Sequence, residues 1–247
     1  MRFAVGFTTV TINAPKHIEY LYNKLRNQHG VTFIRQKLPT ILAAFADPAT
    51  KLVFNCTGNA SRALPGVEDA RCYPTRGQVV LVRAPNVHTN VMRHGKDYET
   101  YVIPRPQSNG NVVLGGYMQK GRESVLHSRV LTRTNFEYVA NFCPSRDGST
   151  YGYETEDILN RANDLSSELK AGGREVLAVS AGMRPSRQGG ARVERSMLEI
   201  GGKKRNIVHN YGAGGTGFQA GYGMAVEAVN SAADVLRELS GMTRSRL

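Results

Sequence analysis

Tryptophan is absent from this 247-residue sequence, and cysteine occurs only three times, at Cys56, Cys72 and Cys143. A sparse, odd cysteine count without metal-ligand spacing excludes a disulfide framework and a structural zinc site, and points to a reduced intracellular compartment. No apolar run approaches the roughly 18 residues a membrane-spanning helix needs, so no membrane partner is expected. Met1 to Gly6 lack the layout of a signal peptide. Long blocks of one charge are missing as well. Lys and Arg outnumber Asp and Glu by 32 to 20, for a net charge of +12, yet the basic residues are spread along the whole chain. The densest cluster, Lys203-Lys204-Arg205, sits at an expected turn. With no zinc-finger or RNA-recognition signature, most of this charge reads as solvated surface and a nucleic-acid partner is not expected. What the chain does have is a 40% hydrophobic fraction, enough to bury the core of one large domain or two small ones.

The stretch from Arg205 to Leu239 organises the rest. Apolar Ile207-Val208 leads through His209-Asn210-Tyr211 into a glycine cluster, and from Met224 the pattern becomes helical through Ala228, Val229, Ala232, Leu236 and Leu239. Gly212-Ala-Gly-Gly-Thr-Gly217 fits G-x-G-x-x-G. Glycine lets a backbone bend sharply and approach a ligand closely, and the N–H groups of the following helix start can hold an anionic or electron-rich group. A full dinucleotide fingerprint needs a second strand and an acidic residue about 20 positions on, which this stretch lacks. On the loop alone, a ligand cradle and a packing turn carry equal weight.

In chain order, the spacing predicts a strand at Phe7–Ile12, a helix over Lys16–His29 closed by Gly30, a strand at Val31–Ile34, and a loop or short helix over Leu38–Phe45. Leu52-Val53-Phe54 reads as a buried strand running into Asn55-Cys56-Thr57-Gly58, a usual ligand position in an open α/β sheet and equally an ordinary tight turn. Gly77–Val82 is a further strand, and Pro85–Glu99 a polar irregular loop. Tyr101–Pro106 and Asn111–Gly116 read as strands joined by a hairpin at Gln107–Gly110. Ser124–Cys143 is mixed. Thr155–Lys170 reads as a helix, Glu175–Ser180 as a strand leading to Arg184-Pro185, and Arg195–Ile200 and Arg205–His209 as strands. The fold class is α/β (α+β), with a sheet-rich middle and flanking βα pieces.

Arg184 precedes a proline, which favours an extended backbone, and its planar fork suits a carboxylate. Taken singly it is a surface charge more often than a clamp. Tyr101 opens a strand, where most tyrosines pack. Nucleophile motif, metal cluster and Walker loop are missing, apart from scattered residues such as Cys56 and His209. A redox cofactor would supply the chemistry that these side chains do not.

Six motifs taken together are specific. Asn55-Cys-Thr-Gly58, Arg76-Gly-Gln78, Tyr101-Val-Ile-Pro-Arg-Pro106, Leu114-Gly-Gly116, Gly182-Met-Arg-Pro185 and His209-Asn-Tyr-Gly212 with Gly217-Phe218-Gln219 resemble the D-amino-acid oxidase family, especially its fungal members, from about Phe7 to the C-terminus. The resemblance implies an FAD-dependent oxidoreductase fold with a large mixed-sheet substrate domain. Residues 1–58 and 175–247 would belong to the FAD-binding part and 59–174 mainly to the substrate domain. It implies oxidation of a D-amino acid by FAD and O2 to a 2-oxo acid, with release of ammonia and hydrogen peroxide. Arg184 would pair with the substrate carboxylate and Tyr101 would orient the substrate, with Tyr117 and Gly215 also at the substrate. Leu38, Thr57, Arg184, Gly214, Gly215, Thr216, Gly217, Phe218 and Gln219 would contact the cofactor. A homodimer is the implied assembly. The tail Ser245-Arg246-Leu247 resembles a Ser-Lys-Leu address read by the peroxisomal import receptor, which would place the chain in the peroxisome and otherwise in the cytoplasm.

Two departures stand out. The family opens on a strand, a dinucleotide-binding G-x-G-x-x-G and a helix, and no such unit precedes Phe7 here. The resemblance therefore implies a Rossmann unit truncated at the N-terminus, with weak or no FAD binding by this chain alone, or a non-catalytic remnant. Second, a fungal member's second active-site tyrosine follows the Gly-Gly pair after one residue; here Tyr117 follows Gly116 directly and Met118 takes that place. Arg93 and His94, ahead of the Tyr101 strand, either bind an acidic side chain as in the related D-aspartate oxidases or are solvated lid charges.

Overall fold

The computed structural model describes residues 3–94, 99–120 and 148–241. Ser124–Cys143 and the Ser245-Arg246-Leu247 tail lie outside the described residues. Those described fall into two compact units. The first lies within Met1–Ile34, Gly77–Met118 and Gly148–Gly182, the second within Arg35–Arg76, Gln119–Asp147 and Met183–Leu247.

The first unit is built on antiparallel pairing. Strands β2 (Cys72–Arg83), β3 (Val91–His94), β4 (Glu99–Pro104) and β5 (Asn111–Gly115) lie in the order β3-β4-β5-β2, with the first five residues of β2 belonging to the other unit. Val80 pairs with Leu114, Val82 with Val112, and Leu114 with Val102. All five are fully buried, and their period of two puts them on one face. Helix α2 (Gly152–Leu165) covers that face with Ile158 and Ala162, which are four residues apart and fully buried; Leu169 of α3 (Ser167–Gly172) completes the cluster. The expected single helix over Thr155–Lys170 is two helices. Ser166 adopts an extended backbone and its Oγ accepts the Leu169 N–H at 3.2 Å, so it ends one helix and caps the next. The Gln107–Gly110 hairpin is present, with Gln107, Asn109 and Gly110 at positive φ.

Helix α1 (Ala14–Gln28) is capped by Asn13, whose Nδ2 also donates to the Pro106 carbonyl at 2.8 Å. It buries no residue, and Ile18 is 55% exposed. The strands expected at Phe7–Ile12 and Val31–Ile34 do not form. Alternation makes a strand only where a neighbour pairs with it, and among the described residues neither segment has one. The loop expected over Pro85–Glu99 contains strand β3, because Val91–His94 finds β4 as its partner.

In the second unit β1 (Leu52–Asn55) runs parallel to β9 (Lys203–Tyr211), which pairs antiparallel with β8 (Arg192–Ile200), and the short β6 (Gln119–Lys120) pairs with Thr75 and Arg76 of β2. Lys203-Lys204-Arg205 opens β9 instead of forming a turn. The turn is Gly201-Gly202, both at positive φ, as a two-residue hairpin joining Ile200 to Lys203 requires. Strand β7 (Glu175–Arg187) continues past Ser180 through Arg184 to Arg187, and its last five residues fall in this unit. Ile41, Phe45, Leu64 and Ile207 form one core cluster, and Val208, Ala228 and Ala232 another. Helix α4 (Gly217–Ser231) and α5 (Ala233–Leu239) follow the glycine loop.

Truncating Ile158 to Ala should cost about 2–5 kcal/mol through lost contacts and a cavity. That lowers the thermal midpoint by roughly 5–15 °C in a chain of this size. Ile18→Ala should change stability by less than about 0.5 kcal/mol. Paired thermal melts check both.

Candidate functional site

The glycine loop leaves β9 where two buried polar networks meet it. Asp69 is the centre of the first. Its Oδ2 accepts from Arg187 Nε at 2.7 Å and from the Tyr211 hydroxyl at 3.0 Å, and the Asp69 and Arg187 side chains are only 5% and 6% exposed. Arg192 donates to the Tyr211 hydroxyl at 2.9 Å and to Glu194 at 2.7 Å. Burial alone raises the Asp69 carboxyl, but the hydrogen bonds from Arg187 and Tyr211 outweigh it and hold the group below the usual carboxylate range. Burial pushes the Tyr211 hydroxyl up.

The second network runs through His209. Its Nδ1 lies 3.2 Å from Asn55 Nδ2, which fixes Nδ1 as the acceptor, and its Nε2 lies 3.2 Å from Ser196 Oγ. Asn55 Oδ1 accepts the N–H and the hydroxyl of Thr57 at 3.1 and 2.8 Å, and Thr57 Oγ1 is 2.8 Å from Ser61 Oγ. His209 is 4% exposed, and burial together with the Arg192 charge lowers its pKa to about 4. It is a neutral spacer between β1 and β8, with both ring nitrogens engaged.

Between these networks the loop turns at Gly212 (φ +90°) and Gly214 (φ +59°). A Cβ on Gly212 would stand 2.8 Å from Arg187 Cβ, so only glycine passes there. The start of helix α4, which follows the loop, is bare: a Cβ on Gly217 or Gly221 would meet nothing within 4 Å. These two glycines, with Cys56, Gly58, Pro185, Tyr211 and Met224, line a groove of about 190 Å³. A neighbouring hollow of about 370 Å³ shares Gly212, Ala213 and Met224 and adds Ser186, Arg187 and Thr216. Arg184 is half-buried on β7, and its Cδ would lie 3.5 Å from a Cβ on Gly215.

The sequence-derived residues distribute as follows. Leu38, Thr57, Arg184, Gly214, Gly215, Thr216, Gly217, Phe218 and Gln219 all belong to the second unit, Tyr101 and Tyr117 to the first. Arg184 and Gly215 are brought together, and Thr57 is held between the groove-lining Cys56 and Gly58. Leu38 is half-buried ahead of the 3-10 turn Ile41–Phe45. Phe218 is half-exposed at the start of α4. Tyr101 is buried, its ring against Gly115 and Gly116. Tyr117 donates its hydroxyl to Asp157 Oδ2 at 2.5 Å, so this oxygen faces α2. Asp69 and Arg187 were not visible as site residues in the sequence, since no local spacing links positions 118 apart. The Asn55 and His209 motifs were, though not their contact.

A bare backbone face at Gly217 and Gly221, an apolar wall from Pro185 and Met224, and a helix start beside them fit one side of a flat heteroaromatic ring such as a flavin. Glycine oxidase from Bacillus cereus ATCC 14579 superposes with a TM-score of 0.50 at 19% identity, covering 79% of this chain and 44% of that one, and L-proline dehydrogenase from P. horikoshii with 0.50 at 14% identity, covering 78% and 44%. These likenesses concern the fold, which in this chain is of the mixed α+β type. Residues 4–230 match the family described as DAO, FAD dependent oxidoreductase, and the chain belongs to that family. Its curated relatives include a D-amino-acid oxidase of Schizosaccharomyces pombe, 42% identical over 227 residues, and a D-aspartate oxidase of Cryptococcus neoformans var. grubii, 34% identical over 256. The matches cover 90% and 92% of this chain but only 58% and 62% of those relatives.

The buried neutral imidazole carries a pH signature. His209 is lowered from 6.5 to about 4 in the folded chain. Between those values the unfolded state binds the extra proton, so this contribution to stability is complete above about pH 6.5 and is lost as pH falls towards 4. His209→Gln should flatten the slope of the unfolding free energy across that window in urea melts. Unchanged slopes would mean that His209 is not held neutral.

Proposed function

We propose that this chain carries the substrate-clamping and flavin-ring-binding part of an FAD-dependent oxidase that deaminates D-amino acids to 2-oxo acids. The observation that carries the reading is Arg184 set beside Gly215 on a glycine loop that leads into the bare start of α4. Membership of the FAD-dependent family and the similarity to a D-amino-acid oxidase support it.

The chemistry supplied by bound FAD is acceptance of two electrons and the α-hydrogen, with the electrons passing on to O2, which leaves as hydrogen peroxide. The substrate's Cα–H bond would break with transfer of the hydrogen and both electrons, one N–H proton would be released as the C=N bond forms, and water would then add to that bond and release ammonia and the 2-oxo acid. The protein's part is positioning. The Arg184 guanidinium binds the substrate carboxylate by two parallel N–H donors. The family resemblance gives Tyr101 the role of orienting the substrate. The backbone at Gly215 and Gly217 would face the bound ring, where N–H groups would stabilise negative charge.

A preference for D-aspartate is the second reading. It depends on an extra cation near Tyr101. The β3–β4 register pairs Met92 with Tyr101 and Arg93 with Thr100, so Arg93 takes the sheet face opposite Tyr101. His94 shares the Tyr101 face, but its Nδ1 is 3.2 Å from Glu99 Oε1. Neutral D-amino acids are therefore the favoured substrates. Import into the peroxisome through Ser245-Arg246-Leu247 and a homodimeric assembly belong to the same reading.

The purified chain, incubated with FAD and passed through gel filtration, should retain visible flavin absorbance if the cradle suffices on its own. D-alanine should then be turned over faster than D-aspartate. Arg184→Lys, which loses the bidentate fork, should lower kcat/KM for D-alanine by about 10²–10³, corresponding to the loss of about 3–4 kcal/mol from a charged hydrogen-bonded pair. A colourless protein that gains flavin only when joined to the further residues of a longer relative would assign the main cofactor contacts to those residues. Flavin retained without any turnover of D-amino acids would overturn the substrate reading.

A further inference from the structure

We propose that Arg161 is the positioning residue of Tyr101, holding from the opposite face of the sheet the glycine seat in which the tyrosine ring lies. The seat itself is steric. Tyr101 pairs with Gly115 across β4 and β5. A Cβ on Gly115 would stand 2.1 Å from Tyr101 Cζ, and one on Gly116 would stand 2.8 Å from its hydroxyl oxygen. The ring therefore lies flat on bare backbone, and its place is set by where that backbone runs.

Arg161 fixes the backbone on both sides of the ring. Its Nη1 donates to the Glu99 carbonyl at 2.6 Å and to Thr100 Oγ1 at 2.8 Å, immediately before Tyr101. Its Nη2 reaches the Gly116 carbonyl at 3.4 Å. The Gly116 N–H donates to the same Glu99 carbonyl at 3.2 Å, so one carbonyl and one guanidinium close a loop around the two segments. The planar fork is itself held. Asp157, one helical turn earlier on α2, accepts from Arg161 Nε at 2.9 Å and from the Tyr117 hydroxyl at 2.5 Å, and the guanidinium sits 5.4 Å from the Tyr117 ring centre. Burial and the Asp157 carboxylate raise the Tyr117 hydroxyl, keeping it protonated as a donor. All of these groups belong to the first unit. Arg161 reaches Thr100, which faces α2, whereas Tyr101 faces away. It acts on Tyr101 only through the backbone. A lysine could carry the charge but not three separate, coplanar directions.

The proposal rests on the reading of Tyr101 as the residue that orients substrate, and its test separates the two. The full chain is prepared with 3-fluorotyrosine, and the Tyr101 and Tyr117 resonances are assigned with Y101F and Y117F. Arg161→Met should broaden or split the Tyr101 fluorine signal and speed amide exchange at Tyr101 and Gly116 by about tenfold or more, while exchange at Val80 and Val112 stays within about twofold. Arg161→Lys should leave the Tyr117 signal close to its original shift yet still disturb Tyr101. Millimolar guanidinium added to R161M should narrow the Tyr101 signal again. A Tyr101 signal unchanged in both variants overturns the proposal. So does general loss of protection, Val80 and Val112 included, in both variants, which would make Arg161 a plain structural tie. If instead Y101F leaves the kcat/KM of D-alanine unchanged in flavin-loaded protein while R161M still disturbs the Tyr101 signal, the seat stands and the substrate role of Tyr101 falls.

Discussion

A buried carboxylate governs the geometry of the second unit. Asp69 is removed from water, and an ionised group there is tolerable only with charge-matched partners. Arg187 from β7 and Tyr211 from β9 supply them, and Arg192 supports Tyr211 from β8. Strands β7 and β9 are thereby pinned to one oxygen atom of a residue 118 and 142 positions earlier, and β8 is tied in through the Tyr211 hydroxyl. The consequence falls on the glycine loop, which begins at the residue after Tyr211. Gly212 is pressed against the Arg187 side chain that Asp69 immobilises, so the direction in which the loop leaves β9 is settled by that contact. Removing one partner of such a pair leaves a charge stranded, and the loop would lose its reference point with it.

The first unit solves the equivalent problem with sterics and a guanidinium. Tyr101 has no room beside a Cβ at 115 or 116, so glycine is demanded by contact and not by turn geometry. Glycine makes the seat and also makes it soft, because a backbone without side chains has more conformations to lose. Arg161 compensates for that softness from the far face by tying together the segments that flank the ring. In both units a residue with a proposed ligand role sits on flexible glycine backbone, and a charged group outside the ligand surface makes the backbone definite.

Much of this was legible in the sequence, and the rest was hidden for identifiable reasons. The helix expected at Lys16–His29 and found at Ala14–Gln28, the hairpin at Gln107–Gly110 and the strand–glycine–helix passage after Ile207 follow from local signals, namely periodicity and turn residues. Phe7–Ile12 and Val91–His94 show the limit. The first alternates and forms no strand, the second reads as loop and does, because pairing is decided by a neighbour that no local window contains. The site divides in the same way. The glycines, Arg184 and Tyr101 announce themselves through motifs. Asp69, Arg187 and Arg161 do not, since each is an ordinary charged residue whose meaning comes from partners 45 to 142 positions away.

The titratable groups closest to the glycine loop are accordingly committed before any ligand arrives. His209 has both nitrogens engaged and is held neutral, Asp69 is held ionised, and Tyr211 is bonded at its hydroxyl. Each could exchange a proton with a substrate only by breaking a buried hydrogen bond, at a cost of about 1–3 kcal/mol for the orphaned group. Proton transfer by these side chains is thus disfavoured at the place where the motifs converge. What the loop does offer is backbone, shape and the adjacent Arg184 cation, which are the means of holding and aligning a molecule. That division suits a reaction in which the electrons are handled by a bound group and the chain supplies orientation.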